Sequence, residues 1–210
     1  MDENLKAMDR IRLEKAAAAL AANGFGAKVF DTGAEASAYA ASLPGTSAGM
    51  GGSMTARDLG LPEKLRGSGK EIVTHAPGMS PEERRAVWLR AQASDLYFAS
   101  PQAVTADGKL VFLDAYGNRG AAVIYGPKKI VMIAGSNKLA ADEAAGLRRA
   151  RDIAAVANNI RLKKDNPCVK TGRCVDCASP SRICNAVTLL WKRPLASDIE
   201  VLLVNETLGY

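Results

Sequence analysis

Four cysteines stand close together late in the chain, as Cys168-x5-Cys174-x2-Cys177-x6-Cys184. A Cys-x2-Cys pair lets two sulfurs reach one metal ion from a tight turn. The outer two can complete a tetrahedron if the loop folds back. Pro167, Gly172 and Pro180 suit a compact knuckle within a cysteine-rich segment at 165–186. Four thiolates on Zn²⁺ or on a [4Fe–4S]²⁺ core leave a net charge of about −2. Between Ile160 and Arg193 eight basic side chains face two acidic ones, an excess that would offset that charge. Zinc and an iron–sulfur cluster both fit this spacing. So, without metal, do two disulfides, a redox dithiol or four free thiols.

The remaining residues with chemical potential lie in glycine- and hydroxyl-rich stretches. In Gly49-Met50-Gly51-Gly52-Ser53-Met54-Thr55 the glycines let backbone approach a ligand. A helix opening at Ser53 offers free N–H groups to an anion, and Ser53 and Thr55 add hydroxyls. No lysine follows and the spacing is not GxGxxG, so neither nucleotide fingerprint applies. A tight turn is the plain alternative. Gly117, Asn118 and Arg119 open a second helix and could hold a carboxylate or phosphate. Thr105 and Asp107 sit in a hairpin that starts where a strand ends, the edge at which open α/β sheets bind ligands.

Acid–base candidates are few. His75 is the only histidine, which excludes a histidine-rich metal site. Asp107, Asp114 and Glu206 complete the set, Glu206 just past the last strand, where ligand contact or helix capping suits it. No Ser-His-Asp or Cys-His arrangement is readable. Arg84 and Arg85 read as a solvated face, and Trp88 and Leu89 as core packing or a homodimer contact.

These residues need elements to position them. Leu5–Ala22 is rich in helix formers, and Asn23-Gly24 stops it. Ala27–Phe30, Thr46–Met50, Glu71–His75, Asp95–Ala99, Lys129–Ala134, Val187–Trp191 and Ile199–Val204 read as strands. Thr32 caps a helix through Leu43, and Ser80-Pro81-Glu82-Glu83 opens one to about Ala93. Gly117–Tyr125 and Ala141–Asn158 read as helices. Ala106-Asp107-Gly108 joins a hairpin across 103–113. Strand–helix alternation predicts an α/β fold with a mainly parallel, doubly wound sheet and a small antiparallel excursion. The whole chain, 1–210, is expected to form one domain, with the cysteine segment inside it.

Composition narrows the class further. Of 210 residues 48% are hydrophobic and 24% charged, the balance of an ordinary globular protein. Nothing approaches ~18 consecutive apolar residues, and the charged N-terminus lacks a signal-peptide pattern. The expected location is therefore cytoplasmic. There, cysteines serve as thiols or metal ligands more often than as disulfides. The net charge is +6. The basic segment coincides with the cysteines and has only Trp191 as a nearby aromatic, which favours an anionic ligand or cluster over nucleic acid.

The order of several motifs is similar to that of the LUD (lactate utilisation) domain family. They are Gly51-Gly52-Ser53-Met54-Thr55, Ala103-Val104-Thr105-Ala106-Asp107-Gly108, Gly117-Asn118-Arg119, Tyr125-Gly126-Pro127-Lys128-Lys129 and Asn205-Glu206-Thr207-Leu208-Gly209-Tyr210. The resemblance spans essentially the whole chain. It implies a fold like sugar-phosphate isomerases and coenzyme A transferases, whose Asp-Gly hairpin lies beside the ligand. Coenzyme A transferases use a glutamate nucleophile, although Glu206 does not obviously match it. Some family members belong to a multi-protein system oxidising lactate to pyruvate, which implies oxidoreductase partner subunits and tilts the cysteine reading toward iron–sulfur. Fold alone leaves the reaction open. A stand-alone isomerase or acyl-transfer enzyme, or a non-catalytic metabolite-binding module, would use the same pocket.

Overall fold

The structure, a computed structural model, describes residues 2–210. In chain order the first half holds α1 (Glu3–Ala22), β1 (Gly26–Phe30), α2 (Gly33–Ser42), β2 (Ser47–Met50), α3 (Met54–Asp58), α4 (Leu61–Gly67), β3 (Glu71–Val73), α5 (Pro81–Gln92) and β4 (Leu96–Ala99). The second half holds β5 (Ala103–Thr105), β6 (Leu110–Asp114), α6 (Asn118–Ile124), β7 (Lys129–Gly135), β8 (Leu139–Ala140), α7 (Glu143–Arg149), α8 (Val156–Arg161), α9 (Pro167–Thr171), β9 (Ala186–Leu190) and β10 (Ile199–Val204).

Six strands form one parallel sheet in the order β1-β10-β7-β4-β2-β3. Alternate residues of its central strands serve two separate cores, as a parallel sheet covered on both faces requires. Ile130, Met132, Val201 and Leu203 pack with Leu13 and Leu20 of α1. Val131, Ile133, Leu202 and Val204 pack with Ala36, Ala40, Leu61 and Leu65 of α2 and α4. The expected α/β class and mainly parallel sheet are thus present.

β2 is a poor strand by propensity, and the packing explains its composition. A Cβ on Gly49 would collide with the backbone of Ala91, so glycine lets α5 lie directly on the sheet. Two helix starts match their sequence signals. Ser80 and Glu83 form a capping box behind Pro81, and Thr32 and Glu35 form another.

A second sheet, β8-β5-β6-β9, contains the expected hairpin and adds two strands to it. The helix expected over 141–158 is interrupted. Between α7 and α8 the ladder widens to a π-helical stretch at Ala150–Ala155, a bulge type often found at functional sites. No helix among the described residues is long and apolar enough to cross a membrane.

Candidate ligand cavity and cysteine segment

The carboxyl ends of the central strands deliver polar side chains to one edge. The loop after β2 brings Gly52, Ser53 and Thr55. The segment after β3 brings His75, Ser100 directly follows β4, and β7 runs through a 3₁₀ turn at Ser136–Lys138 to Lys138. Together they wall a cavity of about 340 Å³, closed on the far side by Asn158, Arg161, Lys164 and Ile183. Its charge is lopsided: Arg84, Arg119, Lys138, Arg161 and Lys164 are cationic, and among the described wall residues Asp114 is the one carboxylate side chain.

Lys138 is the most enclosed of these cations, at 3% exposure. Its Nζ donates to Thr55 Oγ1 at 2.9 Å and to Ser100 Oγ at 2.7 Å, and the two hydroxyls meet at 3.1 Å. Thr55 in turn donates to the Leu208 carbonyl at 3.3 Å. Burial pushes the ammonium down to about 7, helped by the positive charges of Arg149 and Arg119 and opposed only by Asp58.

Arg119 stands beside this cluster. Its Nε pairs with buried Asp114 at 2.6 Å and its Nη2 donates to the Leu113 carbonyl at 2.7 Å. Asp114 also accepts from Gly120 N–H at 3.0 Å, fixing the first turn of α6. Gly51 makes room for this arginine, since a Cβ there would lie 2.9 Å from Arg119 Cγ. On the opposite wall Trp88 Nε1 donates to His75 Nδ1 at 3.2 Å. Burial lowers the imidazole, and the Arg84 charge adds to the effect. A neutral ring that accepts at Nδ1 carries its proton on Nε2.

The C-terminal tail finishes the wall. Asn137 donates to the Gly209 carbonyl and accepts from Leu208 N–H, both at 3.1 Å. Gly209 lies at φ +55°, where a Cβ would sit 2.7 Å from Thr55 Oγ1. That close approach carries Tyr210 into the cavity. Arg84 Nε, in a wall residue, is buried without a protein partner, while the Tyr210 hydroxyl lies beside the Arg161 guanidinium. Buried polar atoms of this kind call for a ligand or water.

The sequence candidates divide accordingly. Gly52, Ser53, Thr55, His75, Asn118, Arg119 and Asp114 line the cavity, with Gly51 directly behind Arg119. Gly117 caps α6 in the left-handed region at φ +74°. Thr105, Asp107 and Glu206 are outside the lining. Thr105 donates to Asp107, Lys109 pairs with Asp107 at 3.0 Å, and Asn23 of the α1 terminus holds the Asp107 and Gly108 carbonyls. The hairpin turn therefore docks under α1. Glu206 accepts from Gly33 N–H at 3.0 Å, at the N-terminus of α2. Three residues that the sequence left as surface, core or unmarked join the site: Arg84, Trp88 and Lys138. Position at the carboxyl end of the best buried strand is the signal that points to Lys138.

The cysteine segment borders the same cavity. Cys168 is buried in α9, Cys174, Cys177 and Cys184 are half-buried, and all four are free thiols. Burial raises the Cys168 thiol, and the charges of Cys177, Cys184 and Cys174 raise it further, so the sulfurs lie within electrostatic reach of one another. Arg151 hydrogen-bonds Cys174. Arg182 donates to the Cys184 and Cys177 carbonyls at 3.0 and 2.7 Å, and both arginines pair with Asp176. Cys174 N–H donates to Asp152 of the π-helical stretch at 3.1 Å, while Ala154 and Ala155 of that stretch line the cavity. The donor chemistry suits a thiophilic metal, but the side chains do not converge. Among the described residues no group of three or more His, Cys, Asp or Glu is placed to hold a metal ion.

A family model described as the LUD domain matches residues 13–204. No curated protein matches the chain. Among solved structures, a DUF162 family protein from Deinococcus radiodurans aligns with 13% identity and a TM-score of 0.49. The alignment covers 95% of this chain and 98% of that one.

Proposed function

The chain belongs to the LUD domain family, and from that premise we propose that its cavity binds a small organic anion in lactate or related organic-acid metabolism. One observation carries the reading: among the described residues five cations face a single carboxylate side chain around a 340 Å³ cavity, and the most buried cation, Lys138, is held by hydroxyls. An anion there meets Lys138, Arg119 and the Ser53 and Asn118 side chains. In a site of low dielectric such charge-assisted bonds are strong. Asp114 neutralises much of Arg119 and fixes the direction of its fork, and Arg84, Arg161 and Lys164 supply the remaining positive charge around Lys138.

Thermal unfolding tests the reading. A small carboxylate at 100 times its Kd stabilises the fold by about 2.7 kcal/mol, or roughly 5–10 °C for a chain of this size. The account expects that shift with lactate, pyruvate or inorganic phosphate, and its loss in the Lys138→Met variant. No shift with any small anion would overturn it.

On the same reading the cysteine segment would hold a zinc ion or iron–sulfur cluster once its four sulfurs, not drawn together in this structure, converge, and the group would serve assembly or electron transfer with an oxidoreductase partner. Four thiols bordered by Arg151 and Arg182 support it. Iron and zinc analysis of protein purified without oxygen is the test, and absence of both metals removes this part of the proposal.

A further inference from the structure

We propose that Lys138 is a carbonyl-reactive amine that condenses with a small 2-oxo acid to form an imine. The proposal rests on the small-anion reading of the cavity and names its substrate class.

A buried lysine with a purely structural role is ordinarily paired with a carboxylate. Lys138 is arranged otherwise. Two of the four tetrahedral positions at Nζ are occupied by the Thr55 and Ser100 hydroxyls and a third by its own Cε. The fourth has no protein partner among the described residues, and Lys138 is part of the cavity wall. The charged groups that act on it are Arg149 and Arg119, which favour the free amine, and Asp58, which opposes them weakly. A free amine at neutral pH is what a carbonyl nucleophile needs, and burial beside cations is the usual way to obtain one. Arg119, Arg84, Arg161 and Lys164 remain to hold the carboxylate of the same molecule.

The chemistry balances without a redox partner. The Nζ lone pair attacks the carbonyl carbon, a C–N bond forms, and the carbonyl oxygen takes up a proton as the nitrogen loses one. The carbinolamine hydroxyl takes up a proton and leaves as water as the C–O bond breaks, the nitrogen lone pair forms C=N, and the nitrogen gives up its second proton, so that amine and carbonyl yield imine and one water. Ser100, hydrogen-bonded to Nζ, is the hydroxyl placed to relay the proton.

The full chain is incubated with pyruvate and sodium cyanoborohydride, which adds hydride to an imine carbon. Intact and peptide mass spectra are then read for a 1-carboxyethyl group. At pH 7 about half of Lys138 is free amine, against ~1 in 3,000 of a solvated lysine. Labelling at Lys138 is therefore expected to exceed that of any surface lysine by at least about tenfold. The Lys138→Arg variant removes the primary amine and is expected to lose the label. The Lys138→Met variant controls for a folding defect, because it removes a buried charge. If pyruvate stabilises the wild-type chain but Lys138 is not labelled above other lysines, the imine is refuted and the anion site stands. If pyruvate neither stabilises nor labels, both readings fall.

Discussion

Replacing Lys138 by methionine should raise stability at neutral pH and abolish a pH dependence. In the unfolded chain this amine titrates near 10.5 and in the folded chain at about 7. Between those values the unfolded state binds more protons, so the slope of unfolding free energy with pH is positive. Lys138 thus destabilises the fold fully below pH 7, and the penalty is relieved as pH rises. One pKa unit is worth ~1.36 kcal/mol. The linkage integral gives a penalty of about 4 kcal/mol at pH 7 and about 2 kcal/mol at pH 9. Methionine removes the penalty and forfeits two hydrogen bonds worth ~1 kcal/mol each. The Lys138→Met variant should therefore be more stable by about 2 kcal/mol at pH 7 and nearly equal to the wild type at pH 9. Urea unfolding of both proteins at pH 7, 8 and 9 measures this. His75 and Cys168 also have shifted pKa values, lowered and raised respectively, but both proteins carry them and the difference cancels. A stability difference that stays constant across the three pH values would refute the buried, carboxylate-free environment assigned to Lys138.

Other substitutions probe the surrounding architecture. Arg119→Leu strands the Asp114 carboxylate, buried at 3% exposure, and should cost about 3 kcal/mol or more, with most of the loss recovered in the Arg119→Leu/Asp114→Leu double variant. Gly108 sits at φ +79° with a would-be Cβ against the Ala19 backbone, so Gly108→Ala should cost ~2 kcal/mol or more and leave anion affinity unchanged. Arg84→Met removes a charge that lowers His75, and an NMR titration should show the histidine pKa rise toward its solvated value.

How far these features were readable depends on how local their causes are. The helix starts at Thr32 and Ser80 are local hydrogen-bond patterns, and both N-caps stand where the residue types predicted them. KIVMIA is buried on both faces as a continuous apolar run implies. The glycine loop and the Asn118–Arg119 turn were legible because strand-to-helix junctions carry small and polar residues. Lys138 was not, because its environment is assembled from α3, β4 and the C-terminal tail, distant in sequence. Arg84 and Trp88 share a helix whose outward face looks solvated until Tyr116 and the cavity are placed beside it. The Asp107-Gly108 turn looked like a ligand loop, yet its closest neighbour is the end of α1, a long-range contact that turn chemistry does not encode. The widened ladder at Ala150–Ala155 has no residue signature at all, since alanine and isoleucine serve either helix type.

A crystal structure of the wild-type chain grown with pyruvate or lactate tests the central claim most directly. The account predicts density for the acid in the cavity beside Lys138, its carboxylate within hydrogen-bond distance of the other cations that line it. Well-ordered crystals with the acid bound elsewhere, or with only water around Lys138 at saturating ligand, would contradict it.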